Sequence, residues 1–147
     1  MTTGVFISLF ERDLSKLEEE ILAYENQADI WKVIPGISNS AGNLALHLCG
    51  NLQHFIGAVL GKTGYVRNRE LEFSNKDVPT EEISQLIGNT RRVVLTTIAG
   101  LGPEELEKEY PEVVFSTTMA TGDFLVYLIS HLNYHLGQIN YHRRILG

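Results

Sequence analysis

Little in the 147 residues serves cross-linking, targeting or nucleic-acid binding. There is one cysteine, Cys49, so no internal disulfide can form, which fits a reducing compartment and makes the cytoplasm the expected location. Basic residues are the minority, 12 Lys and Arg against 18 Asp and Glu, for a net charge of −6. The basic doublets, Arg91-Arg92 and Arg143-Arg144, sit among carboxylate-rich segments. Without a basic patch no nucleic-acid partner is expected. Long hydrophobic runs are also missing. The N-terminal stretch MTTGVFISLFERDL has no positive start and is interrupted by Glu11, so neither a signal peptide nor a membrane partner is expected. Prolines number four, none of them between Thr121 and Leu146, and no internal repeat or low-complexity tract is present.

What is there is ordinary globular composition, 44% hydrophobic and 20% charged, in a length that suits one domain over residues 1–147. Phe10, Leu14, Leu17 and Ile21 recur at helical spacing, with Glu18, Glu19 and Glu20 mostly outside, and predict a first helix over about residues 5–25. Leu44, Leu48, Leu52, Phe55 and Val59 predict a second from about Ser40 to Leu60. The next stretch, GKTGYVRNRELEFSNKDVP, has no sustained period, and a connection that long suggests function or a crossover. Thr80 is placed to cap a third helix lined by Ile83, Ile87, Thr90, Val94, Thr97 and Leu101 and ending near Gly100 or Gly102. PEELEKEY can form one turn after Pro103, and PEVVFSTT has extended character. Phe124, Leu128, Leu132, Ile139 and Leu146 predict a long fourth helix from Thr121 to Leu146. Four amphipathic helices and no convincing strand make the fold class all-α, an antiparallel four-helix bundle, whose interior is a known place for metal sites.

The fourth helix carries SHLNYHLGQINYH, with three histidines in it. At 100° per residue His131, His135 and His142 all fall within about 20° of Phe124, pointing at the expected core. His131 and His135 stand one turn apart and can share one metal ion, whereas His142, about 10 Å further along, cannot. A third ligand must come from another helix, and the second offers His47 and His54. His47, level with the bundle centre, completes a candidate site of His47, His131 and His135. Cys49 lies roughly 200° around the helix from His47 and faces away. The competing reading is polar packing, with Asn51, Gln138, Asn140 and nearby tyrosines satisfying buried imidazoles without metal. Gln138, one turn beyond His135, can hydrogen-bond a ligand imidazole or a water on the ion. Tyr127, Tyr134 and Tyr141 recur every seven residues, a pattern of packing or of a dimer seam.

A mid-helix histidine on the second helix, followed by HLNYHLGQI on the fourth, resembles the DinB/YfiT-like superfamily of four-helix metalloproteins. His131, His135, Gly137 and Gln138 match that family's histidine, three residues, histidine, Gly-Gln pattern, and His47 stands where its first ligand belongs. The loop YVRNRELEF, with Arg67, Arg69, Glu70 and Phe73, resembles one uncharacterised branch. The resemblance implies an up-down-down-up helix order, a homodimer, and a divalent metal ion held by three histidines with water in open positions. Characterised relatives include thiol-dependent isomerases and S-transferases. One departure is Leu136, where many relatives carry arginine.

Three neutral imidazoles leave exchangeable positions on the ion, as catalytic sites do. Zinc or nickel suits the donor set first, iron or manganese next. Metalloproteases place a glutamate directly after the first histidine; here that residue is Leu132, which disfavours zincin-type proteolysis and leaves another hydrolase-like activity open. A metal-dependent thiol S-transferase acting on small electrophiles has less need of that base. Arg67 or Arg69 would then clamp a carboxylate of the substrate, against the plainer reading of a solvated loop. The alternative functions are a non-catalytic metal-binding or stress-associated module, favoured by a closed ligand sphere, and a metal-free small-molecule binding protein.

Overall fold

The computed structural model describes residues 2–147. Helix α1 spans Thr3–Leu22, α2 Ala41–Leu52, α3 Arg69–Ser74, α4 Thr80–Ala99, α5 Pro103–Glu107 and α6 Thr121–Leu146. No strand occurs among the described residues; a single antiparallel bridge joins Glu109 to Ala120. The four long helices match the expected ones within a few residues. The first ends three residues early, and the second continues past Leu52 as a π-helical turn, Gln53–Ala58. Thr80 is the first residue of α4 rather than its cap, because Pro79 takes the capping position and no side chain caps it. Ser40 does cap α2, its Oγ accepting from Asn43 N at 3.1 Å. No helix among the described residues is long and apolar enough to cross a membrane.

Side-chain pairs give the direction of each helix. Asp13 meets Asn133, and Glu20 meets Asn140 and Arg143, so α1 and α6 run parallel. Gln53 meets Thr90, and Gly57 and Gly61 approach Val93 and Thr97, so α2 and α4 also run parallel. His47 meets His131 while Phe55 meets Phe124, which makes α2 antiparallel to α6. The order is therefore up-down-down-up. Two consecutive parallel helices need a crossover, and residues 61–79 provide it. Helix α3 within that crossover folds back onto the outer side of α2, with Asn68 Oδ1 accepting from Leu71 N at 3.2 Å at its start. Coverage on both sides buries α2 nearly all round, from Ala41 through Leu52.

The core face of α6 is formed by Phe124, Leu125, Leu128, Leu132, Leu136, Ile139 and His142. On the helical wheel that face centres between Leu128 and Leu132, roughly 60° from Phe124. His131 and His135 therefore sit on its flank, half-buried, and not on the centre line as the sequence suggested. Of the three histidines only His142 is fully buried.

Candidate metal centre

His47, His131 and His135 converge, each offering a ring nitrogen within 4.8 Å of the others; they form such a group among the described residues. His47 Nε2 stands 3.1 Å from His131 Nε2. Two nitrogens bound at about 2.1 Å to one ion lie about 3.4 Å apart at the tetrahedral angle, so the set needs at most about 1.4 Å of closure to hold one.

The hydrogen bonds around the cluster fix which nitrogen faces inward. A carboxylate only accepts, so His47 Nδ1–H donates to Glu72 Oε1, at 3.0 Å, and Nε2 keeps its lone pair. An amide oxygen also only accepts, so His135 Nδ1–H donates to Gln138 Oε1, at 2.7 Å, with the same result. Two of the three rings thus present bare nitrogens to a common point, as metal-ligating imidazoles do. Burial first, then repulsion from His135 and His47 when they are protonated and from Arg67 and Arg69, pushes the His131 imidazole down to about 4. Burial also lowers His135, against the opposing bond to Gln138. Both are neutral, and so able to bind metal, at neutral pH.

Glu72 was not singled out from the sequence. It is only 6% exposed and takes two bonds from one face of Arg67, Nε–H to Oε2 at 2.8 Å and Nη2–H to Oε1 at 2.9 Å. Burial alone would raise its carboxyl, but the hydrogen bonds from His47 and Arg67 outweigh that and hold it below the usual range. Its approach to α2 depends on Gly50: a Cβ there would lie 1.9 Å from Glu72 Oε2. A glycine one turn from His47, followed by an acidic, Asn-capped segment in the crossover, was the available signal. Asn43 pins the far end of α3, its Nδ2–H donating to the Glu72 and Asn75 carbonyls at 3.0 and 2.9 Å.

Beside His47 and His131 lies a cleft of about 270 Å³, walled by Phe55, Phe115, Phe124 and Tyr127 and bordered by Asn51, Arg67 and Arg69. Arg67 is spent on Glu72, whereas Arg69 lies over the Phe73 ring, 5.3 Å from its centroid, and makes no ion pair among the described residues. Tyr110 anchors the loop that carries Phe115, its hydroxyl donating to Phe55 O at 2.6 Å, a carbonyl in the π turn. His135 and Gln138 face another cleft, of about 530 Å³, between α6 and residues 34–44.

The remaining candidates stand apart. His142 accepts from the Tyr24 hydroxyl at 2.6 Å and donates from Nε2 to Lys32 O at 2.8 Å, which makes it a structural pin. His54 pairs with Glu112 at 3.3 Å, and the two histidines do not meet. Cys49 is buried away from the cluster, its thiol pushed up to about 12 by burial. Tyr134 and Tyr141 are exposed at the rim of the larger cleft, and Tyr127 borders the smaller one.

The up-down-down-up bundle is a DinB-like fold, and the three-histidine cluster where α2 faces α6 could hold a metal ion. The chain belongs to the family described as protein of unknown function (DUF1572), whose model matches residues 6–147. A crystal structure of a DinB-like protein from Bacillus cereus ATCC 10987 superimposes with a TM-score of 0.75 at 17% identity, covering 99% of this chain and 93% of that one. No functionally curated protein matches the sequence.

Proposed function

We propose that the chain is a metal-dependent enzyme of the thiol S-transferase type, its divalent ion held by His47, His131 and His135. The observation that carries this reading is the pair of fixed tautomers: Glu72 and Gln138 turn two ring nitrogens toward a third, beside an aromatic cleft. When bound, such an ion supplies the Lewis acidity that favours a thiolate over a thiol. Within the chain, Phe55, Phe115, Phe124 and Tyr127 give the cleft an apolar wall, and Arg69 offers an unpaired guanidinium to a carboxylate-bearing small molecule. Glu72 is already engaged by His47 and Arg67, and Leu132 follows His131, so neither position supplies a free general base. That supports a transfer needing no protein base over metalloprotease-like hydrolysis. A ligand set of three protein side chains beside an open cleft favours the enzyme over a non-catalytic metal-binding module.

The test is elemental analysis of tag-free protein beside His131→Ala, followed by a panel of low-molecular-weight thiols and electrophiles. About one ion per chain that is lost in the variant, together with thiol-dependent turnover lost on metal removal, is the expected result. Stoichiometric metal without turnover on any thiol would assign the non-catalytic module. Absence of metal after reconstitution would refute both.

A further inference from the structure

Two of the three tautomers are set by an acceptor at Nδ1; the third ring has none. His131 Nδ1 is buried and without a hydrogen-bond partner among the described residues. So is Asn51 Oδ1, on a side chain only 8% exposed. Both residues line the same cleft, Asn51 one turn from His47 on α2 and His131 facing His47 from α6. A buried polar atom left unpaired costs about 1–3 kcal/mol, so two such atoms in one small cleft, one an obligate acceptor and the other able to donate, form an unfinished pair.

We infer that Asn51 is the positioning residue of His131: its Oδ1 accepts from His131 Nδ1–H, by a small side-chain shift or through one bridging water, and so turns the Nε2 lone pair toward His47 and His135.

The alternative tautomer shows why this matters. With the proton on Nε2, His131 would donate to His47 Nε2 across the 3.1 Å gap, filling the space between the two rings. Its bare Nδ1 and the Asn51 oxygen, both acceptors lining one cleft, would then both lack a partner. With the proton on Nδ1, Asn51 is satisfied and all three Nε2 atoms are free. Each imidazole then has its own acceptor: the Glu72 carboxylate for His47, the Gln138 amide for His135 and the Asn51 amide for His131. A hydrogen-bonded partner behind a ligating histidine typically changes metal affinity 10–100-fold when removed.

This inference rests on the proposed metal site, but its first readout does not. In metal-free, full-length protein labelled with 15N-histidine, the His131 ring resonances report which nitrogen is protonated. Asn51→Leu is expected to move His131 toward the Nε2–H form, and Asn51→Asp, which keeps an acceptor, to restore the Nδ1–H form. Identical His131 tautomers in the parent and both variants would overturn the proposal. The second readout is zinc affinity by chelator competition, expected to fall 10–100-fold in Asn51→Leu and to recover in Asn51→Asp. A Leu variant that binds zinc as tightly as the parent also overturns it. Should Asn51→Leu fail to fold, the Asn51→Ala variant, with no acceptor and less bulk, carries the same two comparisons. A parent protein that binds no zinc refutes the metal reading, and the metal-free tautomer comparison still decides Asn51.

Discussion

Gly50→Ala should be costly at a position where helix propensity alone forecasts a gain. Replacing a mid-helix glycine by alanine normally stabilises by about 1 kcal/mol, because the unfolded chain loses freedom. Here the new methyl would stand 1.9 Å from Glu72 Oε2 and 2.6 Å from its Cδ, so the carboxylate must withdraw. Withdrawal breaks the buried contacts of Glu72 to Arg67 and His47, a loss of about 3–5 kcal/mol for a buried pair. Set against the propensity gain, the net is destabilisation by about 2–4 kcal/mol. Gly88 is the control, since a Cβ there meets nothing within 4 Å on α4, and Gly88→Ala should stabilise by about 0.5–1 kcal/mol. Thermal unfolding of the two metal-free variants separates them. At about 2–4 °C per kcal/mol for a chain of this size, Gly50→Ala should melt about 4–16 °C below the parent and Gly88→Ala a few degrees above it. The Glu72 account fails if Gly50→Ala melts with or above the parent.

Lowering the pH should weaken the metal-free fold through a defined window. The His131 imidazole is pushed down to about 4 when folded, against 6.5 for an ordinary histidine, so between those values the unfolded chain takes up a proton that the folded one does not. This contribution is complete above pH 6.5, is lost as pH falls toward 4 and levels off below; His131→Gln should remove that part of the urea-midpoint profile. Tyr24→Phe should cost about 1–3 kcal/mol by leaving His142 Nδ1 buried without a donor, while zinc uptake stays at the parent level. Zinc loss in that variant would place His142 in the site. Gly42→Ala sets a Cβ 2.7 Å from the Trp31 ring, so the emission of the single tryptophan should shift with its displacement, and an unchanged spectrum would contradict that packing.

His131 and His135 were legible because i and i+4 on one helix are neighbours in any helical fold, and His47 because a bundle brings a mid-helix residue level with them. The same wheel placed the histidines too centrally, since it took Phe124 as the middle of a face that extends to Leu136 at the other edge. Glu72 was hidden for a different reason. It lies 25 residues from His47 in a segment without period, and only the fold-back of α3 joins them. Arg67, expected as a free clamp, is drawn into the same contact, a pairing that charge pattern alone does not specify because Glu70 and Glu72 are both within its reach in sequence.

The loop that walls the smaller cleft is tied at its neck: Tyr110 N donates to Met119 O and Thr121 N to Lys108 O, both at 2.8 Å. Between those ties residues 111–118 are exposed apart from Val114, which is only partly buried. The bundle therefore does not depend on what that segment says. Sequence drift there would reshape the wall of the cleft while leaving the helices, the neck and the three imidazoles in register, so that the shape of the cleft can change faster than the scaffold that supports it.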